Sequence, residues 1–294
     1  TSAIRGVAEI GLGAMLGSNI IAIPLMVTTA YLASRGMRPG GSGGGQGGEG
    51  GSSGGARDPE SRADHERHLG EHLVRVKHEA VTVQALPYLA ILALVALLTL
   101  PAPWRGLQPV DGWIMLAAYL AYLGQAIFRG RGEGEDVQWK KKEILLAVAG
   151  VAVLAVGAYF TVASTKNIAS ALGISPLIGG LFITATMAAL PEIFATWSVT
   201  KSGQVTSAAT SVLGDHAVTM TIAFFPLALV TVPVKDFRLY WVNLAFVALM
   251  PALYAALLHW GSREHGFKRW EVLVIDGAYV AYLAVVLFWV LNVL

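Results

Sequence analysis

The sequence predicts an all-α polytopic membrane protein, and three observations predict it. Of 294 residues, 55% are hydrophobic and only 14% are charged, whereas a soluble domain carries nearer a quarter. Apolar runs of about 20 residues recur along the chain, the length that crosses roughly 30 Å of hydrocarbon as helix. Lys and Arg alternate between rich and poor loops as the runs are counted off. A net charge of +2 with scattered basic residues gives no footprint for nucleic acid. Without cysteine there are no disulfides or thiolate metal sites.

Eight spans follow in order: about 7–34, 79–100, 110–128, 143–172, 176–200, 205–232, 238–260 and 268–293. Between the first two lies a Gly- and Ser-rich stretch, 37–64, whose composition predicts a flexible cytoplasmic linker. It leads into His65, His68 and His72, spaced three and four apart on one helical face. That spacing fits a solvated helix entering the second span; a cytoplasmic metal sensor is the other reading. The loop 129–142, "RGRGEGEDVQWKKK", separates three spans from five, and its Lys140, Lys141 and Lys142 attract anionic lipid headgroups or fix topology. The 143–172 run is long enough to tilt or to continue past the membrane. Asp276 lies a couple of turns into the last span, where it could sit near the interface. Trp104, Trp113, Trp139, Trp241, Trp260 and Trp270 fall near span ends, as an interfacial aromatic belt requires.

Loops 35–78, 129–142, 201–204 and 261–269 hold 16 of the 21 Lys and Arg residues. The positive-inside rule makes that side cytoplasmic and puts both chain ends outside, in what reads as the plasma membrane. The chain begins at Thr1, with an apolar segment a few residues on and no signal-peptide pattern. Its N-terminus therefore reads as cut.

One run poses a chemical question. "GLFITATMAALPEIFATW", 180–197, is apolar yet carries Pro191 followed by Glu192. A carboxylate at the bilayer centre costs roughly 3 kcal/mol on insertion scales. Pro191 has no amide hydrogen, so the carbonyl of Met187 loses its helical partner. Such breaks are tolerated in a membrane where protein or a water-filled cavity surrounds them. Free carbonyls beside Glu192 make an all-oxygen site for a hard cation such as calcium, magnesium or sodium. The alternative is a plain proline kink with a protonated glutamate bonded to a neighbouring helix.

Two further stretches resemble each other. "EIGLGAMLGSNIIAIPLM" opens the first span and "TSAATSVLGDHAVTMTIA", 206–223, opens the sixth. Each has a small-residue start, a central glycine (Gly17, Gly214) and two polar residues after it: Ser18 and Asn19 in one, Asp215 and His216 in the other. By the span count they run in opposite directions, which indicates an inverted repeat, the plan of many secondary transporters. The halves are then 1–128 and 143–294, joined by 129–142. Matching halves of five spans each predict ten in all, with two spans and a counterpart of the Pro-Glu segment missing from the first half.

In these residues the chain resembles the cation/calcium antiporter superfamily, which includes the sodium/calcium exchangers. Its two repeats each pair a helix carrying small–hydroxyl–Leu-Pro-Glu with one carrying Gly-Ser-Asn. Here "ALPE" at 189–192, "GSN" at 17–19 and "GDH" at 214–216 occupy those places, and the resemblance covers nearly the whole chain. It implies an inverted-repeat antiporter fold with eight of ten helices present. It also implies a crossed-helix site in which Glu192 and Asp215 bind the cation with oxygens from Ser18, Asn19 and Thr219. Helix breaks are expected at Pro191, Gly17 and Gly214. His216 has two readings, a proton or soft-metal role and a hydrogen-bonded packing residue. Asp215 also has a structural alternative, a buried ion pair with His216 or a lysine. For Gly17 to Asn19 the alternative is small-residue packing without ligation.

The chain departs from the family pattern in places. Hydroxyl residues usually stand three and four before the glutamate, where this chain has Ala189 and Ala188. Where Asn or Asp is favoured four beyond the motif serine, it has Ala22 and Thr219. Fewer neutral oxygens and an added carboxylate favour proton coupling or a different divalent ion over plain sodium/calcium exchange.

The expected function is thus secondary antiport, exporting a divalent cation, calcium first, against protons or sodium. The cations and membrane lipid are the expected partners, and no cofactor is expected. An intramembrane metal-dependent enzyme and a non-transporting remnant are the alternatives. Against the enzyme stand the lack of a His-Glu-x-x-His helix and of a second mid-span histidine.

Overall fold

Among the described residues, each predicted span is largely helical, the sixth with an interruption. The structure is a computed structural model and describes residues 8–35, 74–75, 78–101, 106–130, 141–202, 211, 214–261 and 266–291. The linker 37–64, the histidines 65, 68 and 72, and most of loop 129–142 lie outside the described residues. The helices are α1 (Ala8–Arg35), α2 (His78–Thr99), α3 (Pro109–Gly130), α4 (Lys141–Leu172) and α5 (Pro176–Lys201). They continue with α6 (214–219), α7 (Phe224–Ala228), α8 (Phe237–Ala256) and α9 (Arg269–Ala284). Among the described residues, five helical segments are long and apolar enough to cross a membrane: Ala8–Arg35, Ile144–Leu172, Pro176–Lys201, Phe237–Trp260 and Arg269–Val290. The protein is an all-α integral membrane protein.

Burial sorts these helices. α1 is enclosed along most of its length, with Ile10, Leu16, Ile20, Ile23 and Ala30 fully buried. By contrast α4 is apolar all round and covered only near its end, at Val162, Thr165 and Ala169. A helix of that character outside the core has lipid as its solvent. Trp113, Trp241, Trp260 and Trp270 are exposed close to helix ends, where an aromatic belt places them.

Two short antiparallel pairings tie the loops. Val74–Arg75 pairs with Gly266–Phe267, and Gly106–Leu107 pairs with Val232–Pro233. The first joins two loops that the Lys and Arg count assigns to the cytoplasm. The second joins two loops assigned to the opposite side. Each pairing thus links loops that the alternation of spans puts together.

Two polar contacts tie α9 to its neighbours. Tyr282 on α9 donates to the Asn243 Oδ1 on α8 at 2.7 Å, while the Asn243 amide donates to the Leu239 carbonyl at 2.7 Å. Tyr282→Phe leaves the asparagine oxygen unpaired in a buried position. It is expected to cost about 1–3 kcal/mol, read as a lower unfolding midpoint in detergent. Thr28 on α1 donates to Asp276 on α9, 3.0 Å from each carboxylate oxygen. Asp276, half-buried, is therefore tied to α1.

Candidate functional site

Backbone contact between α1 and α5 sets the frame. A Cβ on Gly13 would overlap the Leu177 carbonyl and come within 2.9 Å of the Leu181 nitrogen. One on Gly17 would overlap the Leu181 carbonyl and lie 2.7 Å from the Ala185 Cβ. One on Gly180 would overlap the Ile10 carbonyl and approach the Ala14 nitrogen at 2.9 Å. Higher numbers on α1 meet higher numbers on α5, so the helices run in the same direction. Gly17 therefore permits the close helix approach that its sequence context suggests. Gly13 and Gly180 do the same, although no motif in the sequence marks them.

Their contact coincides with a distortion. Residues Gly180–Thr184 form a π-helical turn within α5, a common feature of functional helices. Thr184, at its end, donates to the hydroxyl of Thr165 on α4 at 2.8 Å. Beyond it Ala185–Lys201 is continuous α-helix with Pro191 inside. The expected breaks are thus corrected at two positions. Pro191 deletes one hydrogen bond without interrupting the helix, and Gly17 lies in the middle of uninterrupted α1. One missing bond is bridged by the turns either side, so the irregular backbone sits at the π turn instead.

The sixth span has an interruption among its described residues 214–232. Gly214 is helical and lies 3.8 Å, through a Cβ position, from the hydroxyl of Tyr122 on α3. The break falls at Met220–Ala223, between α6 and α7. There the Thr221 amide turns to the Val218 carbonyl at 3.2 Å, and its hydroxyl donates to the Ala217 carbonyl at 2.6 Å. A threonine side chain competing for the helical acceptor is a known local cause of such bends. No sequence signal as strong as proline or glycine marks the spot.

Across these elements the two carboxyl groups meet. Glu192 on α5 and Asp215 on α6 lie within interaction range of one another, and Thr219, one turn beyond, lies within reach of Asp215. Both acids are half-buried. The second glutamate oxygen, Oε2, is buried without a partner in the protein. Two carboxylates so close repel each other, by about 4 kcal/mol at 4 Å and an effective dielectric of 20, and a shared proton or cation is what would relieve that repulsion.

The other candidate residues fall as follows. Asn19 is fully buried, its amide donates to the Met15 carbonyl at 2.7 Å, and its Oδ1 has no partner in the protein. Ser18, half-buried, donates to the same carbonyl at 3.2 Å. Both side chains are thus anchored on α1 beside the glycine that touches α5. His216 is buried with neither ring nitrogen hydrogen-bonded, and its ring packs 5.6 Å from that of Tyr88 on α2. It is neither an ion-pair partner for Asp215 nor a hydrogen-bonded packing residue. Further oxygens, which the motifs do not include, are those of Thr196 and Thr200, buried on the Glu192 side of α5. Their spacing, four and eight after the glutamate, is the signal that the sequence offers for them.

Three comparisons bear on this geometry. The model of the sodium/calcium exchanger protein family matches residues 142–288, half of the chain. The sodium/calcium exchanger MaX1 of Methanosarcina acetivorans is 29% identical over 155 residues, 51% of this chain. That match spans 41% of the relative's own length. Two solved structures of the sodium-calcium exchanger NCX_Mj are similar in fold. One, soaked with 2.5 mM Na+ and 10 mM Sr2+, gives a TM-score of 0.59, and one with 10 mM Na+ and no Ca2+ gives 0.60. Each is 17% identical, with 96% of this chain and 79% of that chain covered. Family model, relative and fold all name exchangers, none of them an enzyme. The chain is thus a member of the sodium/calcium exchanger protein family.

Proposed function

We propose that the protein is a secondary active antiporter that exports a divalent cation, calcium first, in exchange for protons or sodium. The observation that carries this reading is the contact between Glu192 and Asp215 across two helices of an apolar bundle. A divalent ion neutralises both acids at once; when it leaves, protons or monovalent ions must replace it. That obligatory replacement is what couples two fluxes. Thr219 on Asp215, with the free oxygens of Asn19 and Glu192, supplies donors of the hard type that calcium prefers. Ser18 contributes from the same turn of α1. Of the two driving ions, protons suit the donor set better. A proton needs only a carboxylate, whereas sodium needs several neutral oxygens, and Ala22, Ala188 and Ala189 supply none.

In this reading α1 with α6–α7 belong to two inverted halves that rock about the site, and the chain halves 1–128 and 143–294 are those halves. The test is radiolabelled calcium uptake into proteoliposomes under an imposed pH or sodium gradient. Uptake is expected with an opposing pH gradient and to collapse when an ionophore dissipates it. Uptake should also weaken as pH falls equally on both sides, because protons then compete for the shared carboxyl pair. Flux that ignores every gradient would overturn antiport, and no flux at all would favour a non-transporting remnant.

A further inference from the structure

Beyond Glu192 the buried face of α5 continues as oxygen. Within Ala185–Lys201, the part of α5 beyond the π turn, the buried residues are Ala185, Ala189, Thr196 and Thr200, and at 100° per residue Glu192 falls within the same sector. Glu192, Thr196 and Thr200 are four apart, so their oxygens succeed one another about every 6 Å along the axis. Thr196 is 2% exposed and Thr200 0%, and neither hydroxyl has a partner in the protein.

Four other threonines, three in helices and Thr221 in the turn after α6, behave differently. Thr99, Thr161, Thr186 and Thr221 each donate to the carbonyl four residues back, at 2.6–2.9 Å. Thr196 and Thr200 have the equivalent carbonyls of Glu192 and Thr196 one turn behind them and leave them unused. Lys201 ends the helix with its ammonium 5.3 Å over the Trp197 ring. Residue 201 is turned about 100° from Thr200, so its charge stands off the line of oxygens. Buried oxygen without a partner is tolerated in a membrane where a water-filled cavity reaches it.

We infer that Thr196 and Thr200 line the passage through which a hydrated hard cation moves between Glu192 and the Lys201 end of α5, a passage closed in this conformation. It rests on the antiport reading above. Neutral hydroxyls suit a conducting wall, since they accept from hydration water and touch a hard cation without holding it, which conduction requires.

The chain has no cysteine, so Thr196→Cys or Thr200→Cys introduces a single thiol. In proteoliposomes of known orientation, both thiols are expected to react with an impermeant thiosulfonate from the Lys201 side and from that side alone. Thr196→Val and Thr200→Val keep the shape and remove the oxygen. They are expected to slow calcium uptake about tenfold at unchanged equilibrium calcium binding, with serine restoring the rate. Thermal unfolding of the valine variants is expected to match or exceed the parent's, which separates slow flux from poor folding. Valine variants that transport at the parent's rate, or thiols that stay silent or label from the opposite side, overturn the passage. A parent that transports nothing fails the antiport reading instead.

Discussion

Glu192→Gln is expected to abolish gradient-driven calcium uptake, by about 100-fold or more, while leaving the fold intact. The substitution keeps the shape of the side chain and removes one of two charges that meet across α5 and α6. Removing one partner of a hydrogen-bonded charge pair at a binding site typically costs about 2–5 kcal/mol of binding, and each 1.4 kcal/mol is about tenfold. The lost charge is charge that a divalent ion would have used. Stability should not fall with it, because in the cation-free protein the change relieves a contact between two acids. Asp215→Asn is expected to behave alike, and the double variant should be little worse than either single one, since the pair acts as a unit. Equilibrium calcium binding, uptake and unfolding in detergent measure the three quantities separately. Parent-like uptake in both single variants would remove the pair from the mechanism.

The second large effect is structural. Gly180→Ala is expected to destabilise the protein by about 1–3 kcal/mol, the range for overpacking, and to impair uptake through the displaced helix. A Cβ there would press on the Ile10 carbonyl, the Ala14 nitrogen and the Gly13 Cα. All three are backbone atoms, so no rotamer change relieves the clash and the helices must part. Gly13→Ala and Gly17→Ala meet the same wall from the other side. The contrast is Gly157 on α4, where an added Cβ meets nothing within 4 Å. Gly157→Ala should be neutral or stabilising by up to about 1 kcal/mol, from helix propensity alone. Thermal unfolding of the four variants in one detergent tests the set. Equal behaviour at 157 and 180 would mean that α1 and α5 do not touch through backbone.

Much of the site is legible in the residues alone. A carboxylate in an apolar run is rare enough to demand a reason, which singles out Glu192 and Asp215 one at a time. That they touch is an implication of family resemblance, because residues 23 positions apart on different helices meet only through packing. The irregularities are less legible for a related reason. Proline and glycine are the visible punctuators, yet the helix absorbs Pro191, while the distortions lie at Gly180–Thr184 and Met220–Ala223. They coincide with a closely packed neighbouring backbone and with a threonine hydroxyl bonded to a helical carbonyl, and neither is conspicuous in a string of letters. The tie between Asp276 and Thr28 on α1 is likewise not visible in the letters, because it joins residues far apart in the chain.

By itself the sequence determined the solvent and the helices, and it gave an expectation for their alternation across the bilayer. Those depend on hydropathy, run length and loop charge, all properties of contiguous residues. Only the tertiary structure decided which oxygens share space: Glu192 with Asp215, Thr219 on Asp215, and Thr196 and Thr200 buried along the same face. In a bundle where nearly every helix is apolar on all sides, periodicity does not say which face turns inward. That choice falls to close contacts such as Gly13 and Gly17 against Gly180 and Leu181, and it is those contacts that turn isolated polar residues into a site.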